Sequence, residues 1–213
     1  MNAISHARPA RESSKHRVSK TATAADSLAG FGHDTEVDVL TFGQFSIIDA
    51  IEAVLDITGP AEVTIATWTA AQFDLAQIQA QIARAGITKL RLIIDRSFVS
   101  RQPKFVAAIE SQFGVGSVRS TRTHCKFVVI KNADWSVVIR TSMNLNHNPR
   151  LEYMQVADDI ALCKMYAQVS DSIFADEDEG LGGTRSVPTL SGVESIEPST
   201  PVSMGKRPRT GSM

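Results

Sequence analysis

His124 and Lys126 stand two residues apart, and after a run of β-prone residues Ser142 and Asn144 repeat the spacing. On a strand, residues two apart share one side of the sheet. If the two pairs meet, an imidazole, an ammonium, a hydroxyl and an amide surround one small volume. A phosphodiester needs this kind of set. The imidazole can attack phosphorus. The cation and the amide can hold the non-bridging oxygens as charge develops on them.

These residues need strands ending at a common place, and the chain supplies a matching pattern. Val37 to Phe42 reads as a strand, and Ser46 to Ile57 as a helix with Ile47, Ile48, Ile51, Val54 and Leu55 at helical spacing. Gly59-Pro60 breaks the chain before a β-branched strand from Glu62 to Trp68, with Trp68 expected in the core at a strand end and lining the cleft as the alternative. Phe73 to Ala85 has helical periodicity. Lys89 to Asp95 is an apolar strand, and Pro103 to Phe113 a helix with proline in its first turn. Val118 to Ser120 leads into a strand from His124 to Ile130. A turn at residues 131–134 joins that strand to Ser136–Thr141. A strand from Glu152 to Ala157 and a helix from Ile160 to Phe174 follow. Alternating strands and helices define an α/β class, and the hairpin over residues 124–141 makes the sheet mixed.

Composition narrows the function without naming it. The 213 residues carry a formal net charge of −1, with 43% hydrophobic and 21% charged residues, as in an ordinary globular chain. The charge is unevenly spread. Residues 34–82 hold eight acids and no Lys or Arg, whereas residues 84–150 hold twelve basic residues and three acids. The basic half is the half with His124 and Lys126, as a polyanion-facing surface requires. Arg96, Arg101, Lys104, Arg119, Arg122, Arg140 and Arg150 read as solvated surface, and as a phosphate track if several share a face with His124. Arg122, Arg140, Asn146 and Arg150 are the candidate substrate contacts, and His147 lies in the same polar loop.

Two cysteines, Cys125 and Cys163, form neither a metal pattern nor a disulfide framework, and a reducing cytoplasm suits them. Cys125 is expected in the core, on the strand face opposite His124 and Lys126. No run of about 18 apolar residues is present to span a membrane, so no stable membrane insertion is expected. Residues 1–33 read as a disordered basic arm, residues 34–176 as the folded domain and residues 177–213 as a disordered tail. The tail's Lys206-Arg207-Pro208-Arg209 could touch nucleic acid or be a localisation signal.

His124-x-Lys126, an apolar strand, a turn, a second strand and Ser142-x-Asn144 together resemble the motif of the phospholipase D superfamily. The order of elements resembles its small single-motif bacterial endonucleases. Leu90 to Arg96 looks like the family's strand ending in Asp-Arg, and Leu151 to Val156 like its strand carrying an acid. The likeness spans roughly residues 37–175. It implies a phospholipase D-like mixed sheet flanked by helices in a single domain. It also implies a metal-independent phosphodiesterase without a cofactor, acting through a phosphohistidine on His124. The single motif implies a homodimer in which two copies of His124 meet on a two-fold axis, one attacking and one protonating the leaving oxygen. Lys126 and Asn144 would hold the phosphate oxygens, Ser142 would add a donor, and Glu152 would accept from the other ring nitrogen of His124.

Two positions depart from the family pattern. Lys131 stands where the family has aspartate, five residues after the lysine. Asp134 is then the nearest acid to brace the turn. Thr141 stands where glycine normally precedes the serine, and its β-branched side chain narrows the space by the backbone. A nuclease is therefore the leading reading. A non-catalytic nucleic-acid-binding or regulatory module of the same fold is the alternative, and a phospholipase or phosphatidyltransferase is a further one.

Overall fold

Each main element follows from local chemistry that a distant contact then locks. The computed structural model describes residues 14–19, 23–68, 84, 86–101, 103–145 and 149–176. The expected helix over residues 73–85 apart from residue 84, the loop residues Asn146 and His147, and the tail from residue 177 lie outside those residues. Eight strands form one sheet: β1 (Ser14–Ser19), β2 (Glu36–Thr41), β3 (Ala61–Thr67), β4 (Ile87–Asp95), β5 (Val118–Thr121), β6 (Phe127–Lys131), β7 (Ser136–Thr141) and β8 (Glu152–Asp158). The helices are α1 (Ala24–Ser27), α2 (Ile47–Thr58), α3 (Arg96–Arg101), α4 (Pro103–Phe113) and α5 (Ile160–Asp176).

The spatial order is β1-β2-β8-β7-β6-β3-β4-β5. β3, β4 and β5 run parallel, as do β1 and β2, while β2, β8, β7, β6 and β3 alternate in direction. The fold is thus a mixed α/β sheet with flanking helices. One consequence positions the site. The last residues of β2, β3, β4, β5 and β7 and the first residues of β6 and β8 all lie at one end of the sheet. Carboxyl ends of parallel strands are the usual place for a binding crevice in such sheets.

Alternation along the strands feeds two cores. Val63 and Ile65 of β3, Leu92 and Ile94 of β4, Val128 and Ile130 of β6, and Val137 and Ile139 of β7 pack with α2 and with Phe98, Phe105 and Ile109. Ala66, Ile93, Phe127, Val129 and Val138 face the other way, onto Leu162, Cys163 and Ile173 of α5. Burying one such aliphatic side chain is worth about 1.5–3 kcal/mol. α2 starts at a capping box. The Asp49 amide donates to Ser46 Oγ (3.2 Å), and the Ser46 amide donates to the Asp49 carboxylate (2.7 Å). It stops at Gly59, whose φ of 76° admits glycine readily.

The amino-terminal arm is more ordered than its composition suggests. β1 pairs in parallel with β2, and α1 is capped by Thr23 and Asp26, with Leu28 and Phe31 buried beyond it. Two apolar anchors are too few to show periodicity, and a strand that exists by pairing with a distant partner leaves no local trace.

The β6–β7 turn corrects a second expectation. Lys131 lies at the far end of β6, with Glu62 and Ser136 as its cross-strand neighbours. Lys131 therefore sits at the opposite end of the sheet from His124. The turn is braced by Asn132 and not by Asp134. Asn132 Oδ1 accepts from the amides of Asp134 (3.0 Å) and Trp135 (2.9 Å), and its Nδ2 donates to the carbonyl of Thr58 (2.9 Å). That last bond ties the hairpin to the end of α2. Replacing Asn132 by alanine should lower stability by about 1–3 kcal/mol, since it leaves partly buried backbone groups unpaired. Asp134→Ala should change it little. Urea midpoints at constant slope would separate the two.

Candidate active site

His124, Cys125 and Lys126 lie in an extended segment just before β6 rather than on the strand itself. The ladder reaches Lys126 weakly, through the Thr141 amide donating to its carbonyl (3.4 Å). Ser142 and Asn144 likewise follow β7 instead of continuing it. Leaving the ladder frees these side chains from strict alternation, which is why Cys125 is exposed and not in the core. A shallow cleft of about 370 Å³ opens here, lined by His124, Lys126, Arg140, Ser142, Tyr153 and Tyr166.

His124, Lys126 and Ser142 line this cleft together. Lys126 Nζ donates to the carbonyl of His124 (3.1 Å) and lies 3.3 Å and 3.4 Å from the two ring nitrogens. Burial pushes the Lys126 ammonium below its ordinary value, opposed by the negative charge of Glu152. The Ser142 hydroxyl donates to the Glu152 carboxylate and accepts from the Tyr153 amide (3.0 Å). The ring of His124 is met by Lys126 and Trp68, and Glu152 accepts from Ser142. Asn144 Oδ1 is buried with no hydrogen-bond partner among the described residues.

Thr141 is buried and lines the cleft. Its hydroxyl donates to the Tyr153 carbonyl (2.7 Å) and accepts from the Met143 amide (3.0 Å), fastening the end of β7 to β8. That brace aims Ser142 at Glu152. Across the cleft, Asp95 at the end of β4 holds the segment leading into His124. The Thr123 amide donates to Asp95 Oδ2 (3.2 Å), and the Ser97 amide donates to Oδ1 (2.9 Å). Burial alone would raise the Asp95 carboxyl. The bonds from Ser97 and Thr123 and the charge of Arg101 outweigh it and leave it below its ordinary value.

The basic residues divide. Arg140 reaches the cleft, but its Nη2 stands 3.7 Å from Glu36 Oε2. Arg122 and Arg150 are exposed near the same end of the sheet, and Asn146 lies outside the described residues. Arg119 is not surface: it is buried, donates to the carbonyls of Gly116 (3.2 Å) and Val118 (2.9 Å), and packs on Phe174. Trp68 is not core. It is 36% exposed, with its ring centroid 5.1 Å from that of His124. Its place as the first residue after β3, at the same sheet end as His124, was the available signal. Leu40, Phe42, Leu151 and Tyr153 are exposed at this end too, with Leu40 directly opposite Tyr153 across β2 and β8.

No protein-family model matches the chain, and a search of curated proteins returns no match. Among solved structures the chain is similar to Nuc, a phospholipase D family member from Salmonella typhimurium. Identity is 14% and the TM-score 0.44, over 62% of this chain and 87% of Nuc. It is also similar to NucT from Helicobacter pylori, at 14% identity and a TM-score of 0.46, over 60% of this chain and 87% of NucT. A third likeness is to polyphosphate kinase from Porphyromonas gingivalis, at 9% identity and 0.48, over 67% of this chain and 26% of that one. Among the described residues, no three or more His, Cys, Asp or Glu side chains cluster as metal ligands, and no helix is long and apolar enough to cross a membrane.

The lowered Lys126 gives a pH signature with two opposite signs. Below the ordinary lysine value of 10.5 the folded chain releases this proton while the unfolded chain still holds it. In that window stability should rise with pH through this group, because the unfolded state binds more protons. Affinity for inorganic phosphate should fall in the same window. Lys126→Arg should carry the phosphate limb to higher pH, as read by isothermal titration across the alkaline range.

Proposed function

We propose that the chain is a phospholipase D-like phosphodiesterase and that nucleic acid is its substrate. The observation that carries the reading is that His124, Lys126 and Ser142 line one cleft at one end of the sheet, with Glu152 bonded to Ser142. In the mechanism His124 attacks phosphorus and the ester oxygen leaves, giving a phosphohistidine that water then cleaves. Lys126 and Asn144 hold the non-bridging oxygens while charge builds on them. Ser142, held by Glu152 and Tyr153, presents its hydroxyl beside them. No metal or cofactor enters this scheme. Two free thiols, one of them exposed, suit a reducing interior.

One protomer supplies one histidine, whereas the two steps call for an acid as well as a nucleophile. A homodimer would bring a second His124 to the cleft, and the exposed Leu40, Phe42, Leu151 and Tyr153 offer apolar surface for such a contact. Lys131 stands away from the chemistry, so its difference from the family aspartate falls on the hairpin's far end. The join of Glu152 to Ser142 favours a second reading: a module of the same fold that binds nucleic acid without turnover.

DNA and RNA cleavage in excess chelator tests the proposal. Wild type should cleave, and His124→Ala should lose on the order of 10⁴-fold in rate, as removal of a nucleophile does. Cleavage that survives this substitution would overturn the assignment, and salt-dependent binding with no turnover by wild type would select the second reading. Sedimentation should report a dimer that Leu40→Asp with Tyr153→Asp converts to monomers, with loss of cleavage.

A further inference from the structure

We propose that Trp68 is a stacking platform for a nucleobase next to the scissile phosphate, so that the site takes unpaired strands in preference to duplex. This deepens the nucleic-acid reading above and rests on it. A tryptophan at the end of a central strand would ordinarily be buried, yet Trp68 leaves over a third of its surface in solvent. Its ring is tilted 51° to His124 at 5.1 Å, so a group lying on it would be adjacent to the attacking imidazole.

Two cations border the ring. Arg101 Cζ lies over the ring at 5.6 Å and Lys126 Nζ at 6.0 Å from its centroid, at the outer range of a cation–π contact. Arg101 is placed there by a chain of bonds. Its Nε donates to the Ser97 carbonyl (2.8 Å) and its Nη2 to Ser97 Oγ (3.0 Å), while Ser97 is itself held by Asp95. The same Asp95 carboxylate holds Thr123, beside His124. One carboxylate thus sets the platform's cation and the nucleophile's approach together. Arg101 Nη1 has no partner among the described residues and can meet a neighbouring phosphate.

An exposed aromatic bordered by cations matches the chemistry of unpaired nucleic acid: the π-face takes a base of any identity and the cations take the backbone. A paired base keeps its faces in the duplex stack and offers neither to the ring. Stacking on an aromatic of this kind changes affinity by about 5- to 100-fold per base.

The test uses the full chain carrying His124→Ala to prevent cleavage and Trp135→Phe to leave Trp68 as its one indole. Trp135 is at the other end of the sheet, stacked on His33 at 3.8 Å. A short oligothymidylate should quench Trp68 fluorescence. An abasic oligomer of equal length and charge should bind more weakly by that factor without quenching. Trp68→Leu should lose the preference for bases while keeping the salt slope that reports phosphate contacts, and Trp68→Phe should recover it in part. Equal affinity for the abasic and base-bearing strands would overturn the platform and leave the phosphodiesterase reading standing. So would equal affinity for duplex and single strand. Binding of neither nucleic acid would overturn both.

Discussion

The antiparallel register of β6 with β7 is the constraint on which the site depends. Phe127 faces Arg140 and Lys131 faces Ser136, and a slip by one residue would turn every side chain of the hairpin to the other face. Asn132 sets that register at the turn and ties it to α2, while the alternating Val and Ile residues hold it between two cores. With the register set, Lys126 lies opposite Thr141 at the open end, and Ser142 emerges beside Glu152. His124 and Ser142 lie outside the paired residues of β6 and β7, whereas Glu152 opens β8 opposite Thr41.

Support for the site is divided between the two sides of the cleft. On one side Thr141 and Tyr153 lock the end of β7 to β8, and with it the Ser142–Glu152 pair. On the other, Asp95 holds both the segment before His124 and the start of α3. Lys126 lies between them, near the imidazole and within the field of Glu152. Its partial burial weakens its hold on a proton, and the carboxylate partly restores it. Such opposed influences are common where a charge must serve a substrate and not merely face solvent.

Much of the architecture was legible because it is local. α2 announces itself through Ser46, Asp49 and the spacing of its isoleucines, and α4 through Pro103 and Gly114. β3, β4 and β7 show β-branched or apolar runs. The types and spacing of His124, Lys126, Ser142 and Asn144 were also readable, as was an acid at Glu152. Less was readable where a residue's position depends on something distant. β1 exists by pairing with β2. Arg119 is buried because Phe174 and the Gly116 and Val118 carbonyls receive it. Cys125 and Trp68 are both exposed and not core, since β6 begins only after Cys125 and β3 ends before Trp68.

The sequence by itself determined which groups are available for phosphoryl chemistry and at what intervals, because periodicity and residue type are local properties. The tertiary structure alone decided that residues 68, 95, 124–126, 142–144 and 152 share one end of a sheet. It also decided that Glu152 holds Ser142, that Lys131 is remote, and that an indole stands open beside the imidazole. Strand order and direction come from burying both faces of eight strands at once, and that free energy belongs to no short segment of the chain.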